Sequence, residues 1–324
     1  MRPLWPHQLA CLQACRAILG REPGYCTLPT GSGKSEIIRH LALDWVREPG
    51  RKVLIAVPNR TLAMQHRAGF YQHNHTKIIP TLALQDFRFA PASNVIISTY
   101  QSMPAVDSVV EKLPRRRSQF LLIADECHHC SDNGPIWSLI VSKYTNRIGF
   151  SATPWNRNTR MLFLENHIFH YSISQAKKDG IICDWQIEKT DRLNISPARA
   201  YQLCFVDRHG LLLGNRKRSC VYWKDDIDDV RKSRNADMIE QFRDGKICAL
   251  YCNRMLLEGF DCPQIKWIFV EKETNSQILA YQMLGRGLRT YKGQRLILQT
   301  TSEVTHNAVI QALDMADKAE SEVM

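Results

Sequence analysis

The residues most able to do chemistry begin with a glycine-rich loop, residues 28–35, which read Leu-Pro-Thr-Gly-Ser-Gly-Lys-Ser. Glycines let successive backbone N–H groups turn towards one anion, the lysine adds a positive charge, and the hydroxyl after it can bind Mg²⁺. We therefore expect a nucleotide phosphate to contact Thr30, Gly31, Ser32, Gly33, Lys34 and Ser35. The usual pattern has glycine at position 28, where this chain has Leu28, so the loop needs support from elsewhere in the chain.

Two adjacent carboxylates supply that support. Asp125 and Glu126 directly follow an apolar run, residues 120–124, which predicts a buried parallel strand. Ligand-binding groups in open α/β sheets lie at the carboxyl ends of such strands. We expect Asp125 to bind Mg²⁺ together with Ser35, and Glu126 to act as the general base that orients the attacking water. A phosphate loop followed by a metal-binding acidic pair indicates hydrolysis of ATP, with Lys34 as a further catalytic group.

Composition indicates a two-domain protein with a polyanionic partner. The 324 residues exceed what one core usually holds and suit two domains of about 150 residues each. The formal charge is +11, with basic clusters at residues 115–117, 216–218 and 231–232. Any one cluster could be a solvated surface loop, but the net excess favours nucleic acid as the partner.

Other features of the composition concern location and metals. The chain has no run of about 18 apolar residues and no charged-then-apolar leader, so we expect a soluble intracellular protein, cytoplasmic or nuclear, with no membrane partner. Its eleven cysteines are scattered, as free thiols would be in a reducing compartment. Cys127 and Cys130 have a metal-ligand spacing, but no clean second pair completes a tetrahedral site, so structural zinc is disfavoured.

Apolar runs alternate with helical periodicity, which is typical of parallel α/β sheets. In the first half the predicted strands are residues 25–28, 53–57, 95–98, 120–124 and 148–150. Apolar residues at Ile37, Ile38, Leu41 and Trp45 predict a helix that begins at the phosphate loop, where its dipole favours an anion. A second series has predicted strands at 201–206, 247–252, 267–270 and 296–299. We predict domains at 1–158 and 186–324, the second of them shortened, joined by a connector at 159–185.

The motifs of the chain, taken in order, resemble those of superfamily 2 helicases. They are residues 4–8 (Leu-Trp-Pro-His-Gln), the loop at 28–35, Asp-Glu-Cys-His at 125–128, Ser-Ala-Thr-Pro at 151–154, and the segments at 257–263 and 282–289. This shared order is more specific than any single motif. The Asp-Glu-Cys-His-His form is most similar to the branch that contains restriction-enzyme motor subunits and excision-repair helicases. The resemblance implies two tandem RecA-like P-loop domains with parallel sheets and ATP in the cleft between them.

The resemblance also implies further nucleotide contacts. Gln8 would read adenine, since an amide can accept from the adenine amino group and donate to a ring nitrogen. Gly259 and Asp261 would serve the nucleotide from the second domain. Arg286 and Arg289 are three residues apart on a predicted helix, hence on one face, and would reach the γ-phosphate when the domains close. The alternatives are a solvent-exposed glutamine and an exposed basic helix.

Two more groups of residues would link ATP to a nucleic-acid track. The hydroxyls of Ser151 and Thr153 could bond to His128 or to the acidic pair, and coupling would also involve Gln282. Two segments that follow predicted strands, residues 58–65 and 98–102, resemble the helicase segments that contact a nucleic-acid backbone. Their candidate residues are Pro58, Asn59, Arg60, Gln65 and Thr99. Ordinary helix capping by Asn59 or Ser102 is the alternative.

The sequence therefore predicts an ATP-dependent helicase or translocase that moves on or unwinds DNA, which the Asp-Glu-Cys-His-His form favours over RNA. Two alternatives stay open. One is an ATPase that remodels or anneals a duplex, RNA included, without separating strands. The other is a nucleic-acid-binding scaffold whose ATP site no longer turns over.

Overall fold

The chain divides into two compact units, Met1–Ser172 together with Lys318–Met324, and Ile173–Asp317. The computed structural model describes residues 3–71, 80–83, 93–112, 117–130, 136–153, 166–190, 205–206, 212–213, 219–223, 239–244, 249–252, 262–270, 273–290 and 293–318. Within these ranges, no helix is both long enough and apolar enough to cross a membrane.

The first unit contains a seven-stranded sheet in which every pairing is parallel. Its strands are β1 (Gly24–Thr27), β2 (Lys52–Val57), β3 (Pro80–Ala83), β4 (Val95–Thr99), β5 (Phe120–Asp125), β6 (Asn146–Ser151) and β7 (His167–His170). They lie in the order β3-β4-β2-β5-β6-β1-β7. The five predicted strands are confirmed, with their ends shifted by one or two residues, whereas β3 and β7 have no predicted counterpart.

Four inner strands of this sheet are buried along their whole length, which explains their largely apolar sequences. Every residue of β1, β2, β4 and β5 is buried, whereas the edge strand β7 is only partly covered. Such runs are typical of parallel strands that are covered on both faces. Because parallel strands point the same way, the carboxyl ends of β1, β6 and β5 open side by side at one edge of the sheet.

Helices follow the strands of the first unit. They are α1 (Pro6–Ile18), α2 (Lys34–Trp45), α3 (Arg60–Tyr71), α4 (Met103–Glu111) and α5 (Ile136–Ser142). The predicted helix after the phosphate loop is confirmed as α2, and the side chains of Ile37, Ile38, Leu41 and Trp45 are all buried. α1 packs against α2 and β7, so the start of the described chain lies close to the loop.

The second unit contains a mixed seven-stranded sheet. Its strands are β8 (Asp184–Lys189), β9 (Phe205–Val206), β10 (Leu212–Leu213), β11 (Ser219–Trp223), β12 (Ala249–Cys252), β13 (Ile265–Val270) and β14 (Arg295–Thr300). They lie in the order β8-β14-β13-β11-β12-β10-β9, parallel from β8 to β12 and antiparallel at β10. Among the residues described in this unit, helices are found at α6 (Ile173–Lys178), α7 (Gln277–Gly285) and α8 (Glu303–Asp317), and residues 239–243 are also helical.

Some predicted strands of the second unit are confirmed and others are only partly described. The strands predicted at 267–270 and 296–299 correspond to β13 and β14. Of the predicted strands at 201–206 and 247–252, residues 201–204 and 247–248 lie outside the described residues. β8 at one edge and β11 in the middle of the sheet have no predicted counterpart.

A buried carboxylate joins three segments of the first unit away from the phosphate loop. Asp107 of α4 is buried and accepts two hydrogen bonds from the Arg117 guanidinium, both at 3.1 Å. It also accepts from Lys143 Nζ at 3.2 Å and from the Tyr144 hydroxyl at 3.1 Å. This one side chain therefore ties α4 to the turn before β5 and to the segment that leads into β6.

We expect Asp107→Ala to lower the free energy of unfolding by about 3 kcal/mol, because it removes a buried acceptor shared by two cations and a hydroxyl. The substitution Ser108→Ala, at the exposed neighbour on α4, should change the same quantity by less than about 0.5 kcal/mol. Urea unfolding followed by circular dichroism measures both. Equal stability of the two variants would contradict the structural role given to Asp107.

Candidate functional site

The phosphate loop connects β1 to α2, and its first residue is bonded to the end of β6. The Leu28 N–H donates to the Ser151 carbonyl at 3.1 Å. Gly31 and Gly33 have φ angles of 91° and 81°, which are positive values that residues other than glycine rarely adopt. α2 begins at Lys34, so the N–H groups of its first turn follow directly on the loop. This combination of loop and helix start suits the binding of a phosphate.

The side chains of the loop make bonds within it. Lys34 Nζ donates to the Leu28 carbonyl at 3.2 Å and to the Pro29 carbonyl at 3.4 Å. The Ser32 hydroxyl donates to the same Pro29 carbonyl at 2.8 Å. Lys34 and Ser32 are buried, whereas Thr30, Gly31, Gly33 and Ser35 are partly exposed. The Lys34 ammonium group is therefore bonded to the loop in which we expect it to bind phosphate.

Two consecutive side chains of α1 also hold the loop. His7 Nε2 lies 2.9 Å and Gln8 Nε2 lies 3.1 Å from the Ser32 carbonyl oxygen. Because a carbonyl only accepts, both side chains donate, which puts the His7 proton on Nε2. The Gln8 Oε1 accepts from the Trp5 N–H at 2.9 Å, and the His7 ring stacks on Tyr171 with centroids 4.4 Å apart. The amide expected to read adenine is therefore bonded to the phosphate loop.

Asp125 ends β5 and is held at both carboxylate oxygens. Its Oδ2 lies 2.8 Å from His66 Nε2, and its Oδ1 accepts from the Glu126 N–H at 3.1 Å. The backbone carbonyl of Asp125 accepts from the Tyr100 hydroxyl at 2.7 Å. The Asp125 carboxylate and the Ser35 hydroxyl are hard oxygen donors of the kind that Mg²⁺ prefers. The residues at this strand end therefore fit the expected metal.

His66 is a residue of this site that the sequence analysis does not identify. It lies on α3, one residue after Gln65, and is buried with Asp125. The only sequence signal is its place on the helix after β2, the strand that pairs with β5. Hydrogen bonds of this kind orient metal-binding carboxylates.

Glu126 adopts a strained backbone conformation. Its φ of 54° makes it the sole non-glycine residue with a positive φ among those described. Strain of this kind costs on the order of 1–3 kcal/mol and is concentrated at functional sites. The Glu126 Oε2 lies 3.5 Å from His128 Nδ1. The turn that follows β5 thus directs two neighbouring carboxylates differently, Asp125 towards His66 and Glu126 towards His128.

His128 is also contacted by the segment that follows β6. The Ser151 Oγ lies 3.0 Å from His128 Nδ1, and the Thr153 Oγ1 lies 3.4 Å from the same nitrogen. The Thr153 N–H donates to the Ser151 Oγ at 3.0 Å. All three side chains are buried. The structure therefore brings the two hydroxyls to His128, one of the two arrangements that the sequence analysis considers.

The side chains expected to contact nucleic acid differ in exposure and bonding. The Asn59 Oδ1 accepts from the Leu62 N–H at 3.0 Å, so Asn59 caps α3, as the alternative interpretation expects. The Thr99 Oγ1 lies 3.0 Å from the Ser102 Oγ, and the Ser102 hydroxyl makes no capping bond. Of the remaining candidates, Pro58 is buried, and Arg60 and Gln65 are exposed.

In the second unit the prediction of one helix face for Arg286 and Arg289 is wrong. α7 ends at Gly285, and Arg289 lies beyond it in an antiparallel bridge with Ile182. The chain has to leave the helix there because Leu288 O accepts from the Cys183 N–H at 2.7 Å. Arg286 is buried, and desolvation, with a smaller effect of the Arg243 charge, lowers the pKa of Arg289 to about 10. Gln282 lies on α7, partly exposed, and Gly259 and Asp261 lie outside the described residues.

Comparison of the sequence with known proteins finds one matching family and two similar curated proteins. Residues 3–156 match the family described as the Type III restriction enzyme, res subunit. The chain is 24% identical over 339 residues to IRC3 of Saccharomyces cerevisiae and 24% identical over 346 residues to mitochondrial irc3 of Schizosaccharomyces pombe. Both are named as ATP-dependent helicases. The alignments cover 87% and 90% of this chain but 48% and 56% of those proteins, so the chain spans about half their length.

Comparison with solved structures shows the same fold in proteins bound to DNA or RNA. The ATP-dependent Type ISP restriction-modification enzyme LlaBIII bound to DNA matches with a TM-score of 0.72 at 13% identity, over 98% of this chain and 30% of that chain. Dbp5 of S. cerevisiae bound to RNA matches with a TM-score of 0.60 at 14% identity, over 98% and 93%. The predicted α/β fold of RecA-like units and the predicted resemblance to superfamily 2 helicases are confirmed.

The contact between Gly33 and Gln8 gives a prediction about the loop. A Cβ at Gly33 would lie 2.2 Å from Gln8 Nε2, in addition to the cost of a positive φ, whereas a Cβ at Gly293, with φ of 66°, would meet nothing within 4 Å. Gly293→Ala should therefore cost only the left-handed penalty of about 1–2 kcal/mol, and Gly33→Ala should cost more. Denaturant unfolding of both variants measures the difference.

A double-mutant cycle is the control for this interpretation. In a Gln8→Ala background the clash is absent, so Gly33→Ala should cost clearly less than it does in the wild-type chain. Strictly additive effects of the two substitutions would show that the amide does not rest against the loop.

Proposed function

We propose that this chain, a superfamily 2 helicase by motif order, fold and sequence similarity, hydrolyses ATP to move along or unwind nucleic acid, with DNA favoured over RNA. The observation that carries the proposal is the meeting of three segments at one sheet edge. The phosphate loop begins at a residue bonded to Ser151. Asp125 ends the strand next to that of Ser151, and Glu126 follows it directly. These are the components that nucleotide hydrolysis requires, assembled on buried strands.

In this proposal the loop binds the triphosphate and the metal. Lys34 gives up its bonds to loop carbonyls and pairs with the β- and γ-phosphates, and Thr30, Gly31, Ser32 and Gly33 contribute backbone N–H groups. Ser35 and Asp125 hold Mg²⁺, which neutralises charge on the phosphates when it is bound. Gln8 contacts adenine with its remaining amide hydrogen and lone pair. Its bond to Ser32 would then relate adenine binding to the position of the loop.

Glu126 is the proposed general base. It follows the metal-binding Asp125 directly, and its left-handed φ directs its side chain away from that of Asp125 and towards His128. Within this arrangement Glu126 accepts a proton from the attacking water. His66 is a positioning residue in the proposal, because its N–H fixes the Asp125 oxygen at 2.8 Å.

His128, Ser151 and Thr153 are the proposed link between hydrolysis and the nucleic-acid track. The 3.0 Å contact between His128 Nδ1 and Ser151 Oγ joins the turn after β5 to the end of β6. A displacement of Glu126 would therefore also displace the segment after Ser151. The proposed contacts to the nucleic-acid backbone are Pro58, Asn59, Arg60, Gln65 and Thr99, with exposed Arg60 and Gln65 the strongest of these candidates. Contacts to phosphates position a motor without reading sequence.

The second unit contributes roles that rest on the motif resemblance. Arg286 and Arg289 are proposed to stabilise the charge that develops on the phosphates, and Gln282 to take part in coupling. Gly259 and Asp261 are proposed to serve the nucleotide. A lowered pKa of about 10 still leaves Arg289 charged at neutral pH, as such a role needs.

The test of this function is steady-state ATP turnover without nucleic acid and then with single-stranded DNA, duplex DNA and RNA. We expect stimulation by DNA in the wild-type chain. Glu126→Gln should lower kcat by about 10²-fold or more while a fluorescent ATP analogue still binds, because only proton transfer is lost.

Glu48→Gln, at an exposed carboxylate of the same unit, is the matched control and should leave turnover unchanged. Undiminished turnover in Glu126→Gln would overturn the assignment of the base. Stimulation by RNA alone would favour a remodelling or annealing activity on RNA, and nucleic-acid binding without turnover would favour a scaffold.

A second prediction concerns the positioning role of His66. His66→Ala should lower kcat about 10-fold to 100-fold and raise the Mg²⁺ concentration that gives half-maximal activity, because Asp125 loses its orienting donor. His66→Gln keeps an N–H donor at a similar reach and should recover most of the activity at saturating Mg²⁺. If the two variants lose activity equally with no change in Mg²⁺ dependence, His66 serves only packing.

A further inference from the structure

Three cysteines of the first unit converge on one point inside its core. Cys11 and Cys15 are four residues apart on α1, hence on one face of that helix, and Cys26 lies on β1. All three side chains are fully buried. Their sulfur atoms lie within 4.8 Å of one another, and the Sγ atoms of Cys15 and Cys26 are 3.4 Å apart.

This spacing is close to that of thiolates on a shared metal ion. A zinc–thiolate bond is about 2.3 Å long, so two sulfurs on one such ion are separated by roughly 4 Å. The observed sulfurs need to move by only a fraction of an ångström to reach that arrangement. A weak hydrogen bond between thiols accounts for the Cys15–Cys26 contact, whereas the convergence of all three sulfurs on one point is the arrangement that a shared ion requires.

We propose that Cys11, Cys15 and Cys26 form a binding site for one soft metal ion, a Cu⁺ or Zn²⁺ ion, that fastens α1 to β1. Thiolates select such soft ions over Mg²⁺ or Ca²⁺. Within the part of the chain that the structure describes, no histidine, aspartate or glutamate joins the group, and complete burial keeps water out. A set of three sulfurs suits a three-coordinate Cu⁺, while tetrahedral Zn²⁺ would need a fourth donor such as a backbone carbonyl.

The position of this thiolate site gives it a structural purpose. α1 carries His7 and Gln8, which bond to the Ser32 carbonyl, and β1 runs into the phosphate loop two residues after Cys26. An ion shared by the two elements would fix both supports of the loop against each other. Because the site is sealed, the ion would enter during folding, and its binding energy would become folding energy. This inference does not depend on the proposed helicase function.

The other cysteine pair of the first unit is the matched control. Cys127 and Cys130 are also fully buried and have a metal-ligand spacing in the sequence. Among the described residues, no third metal-binding side chain lies close to both of them. Cys130→Ala therefore removes a buried thiol of the same unit without touching the proposed site.

The test is the metal content and metal-dependent stability of the full chain, purified under a thiol-free reductant. We expect one Cu⁺ or Zn²⁺ per chain by elemental analysis. The metal-depleted chain, refolded with Cd²⁺ as a probe, should show a thiolate-to-metal charge-transfer band and a raised Tm. Cys130→Ala should behave like the wild type. Cys15→Ser should keep its circular dichroism spectrum and lose the ion, the band and the rise in Tm.

Elemental analysis of the purified chain identifies the ion, and refolding with each metal separately shows which one raises the Tm most. A wild-type chain that refolds in the presence of each metal but takes up no ion, shows no band with Cd²⁺ and has a metal-independent Tm would overturn the proposal. So would a disulfide between Cys15 and Cys26 in the purified chain. Both results can be obtained on the wild type alone, so a poorly folding Cys15→Ser variant would not leave the question open.

Discussion

The parallel pairing of β1 with β6 and of β6 with β5 is the constraint on which the candidate site depends. Parallel strands end at the same edge of a sheet, so the phosphate loop, the Ser151 segment and the acidic pair become neighbours although they are far apart in sequence. The bond from the Leu28 N–H to the Ser151 carbonyl extends this pairing beyond the strands and fixes where the loop begins. A shift in this register would separate the loop from the carboxylates.

Around that edge, buried polar side chains fix one another. His7 and Gln8 hold the Ser32 carbonyl, His66 holds Asp125, and Ser151 contacts His128. Each such bond adds only about 1 kcal/mol of net stability, but a buried polar group left without its partner costs more. The network therefore selects one arrangement of the site rather than supplying much of its stability. The strained φ of Glu126 is tolerated because both of its flanking segments are held in this way.

Much of this organisation can be predicted from sequence, and the exceptions have physical reasons. The buried strands of the first sheet can be predicted because they are continuous apolar runs. The helix α2 can be predicted from four apolar positions at helical spacing. β7 and β8 are missed because His167–His170 and Asp184–Lys189 are edge strands with mixed, partly exposed residues and no clear period. The sequence also does not show which distant residues come into contact in the folded chain. Nothing near His66 or Cys26 in the sequence indicates that one meets Asp125 and the other meets Cys11 and Cys15.

The helix predicted for Arg286 and Arg289 fails for a tertiary reason. Residues 282–289 combine good helix formers with two poor ones, Gly285 and Gly287. The chain leaves α7 at Gly285, and Leu288 and Arg289 pair with the segment before β8. Local spacing therefore places these two arginines on one helix face, and long-range pairing moves them off it. The resemblance of their motif survives this correction because it concerns residue type and order rather than helical phase.

Movement on nucleic acid is the central claim and can be measured directly. The most direct measurement is the displacement of a third DNA strand from a duplex, beside displacement of streptavidin from a biotinylated single strand, with ATP or a non-hydrolysable analogue. We expect displacement on at least one DNA track, and this displacement should require ATP hydrolysis and be lost in Glu126→Gln. Full ATP turnover with no displacement on either track would contradict a DNA motor.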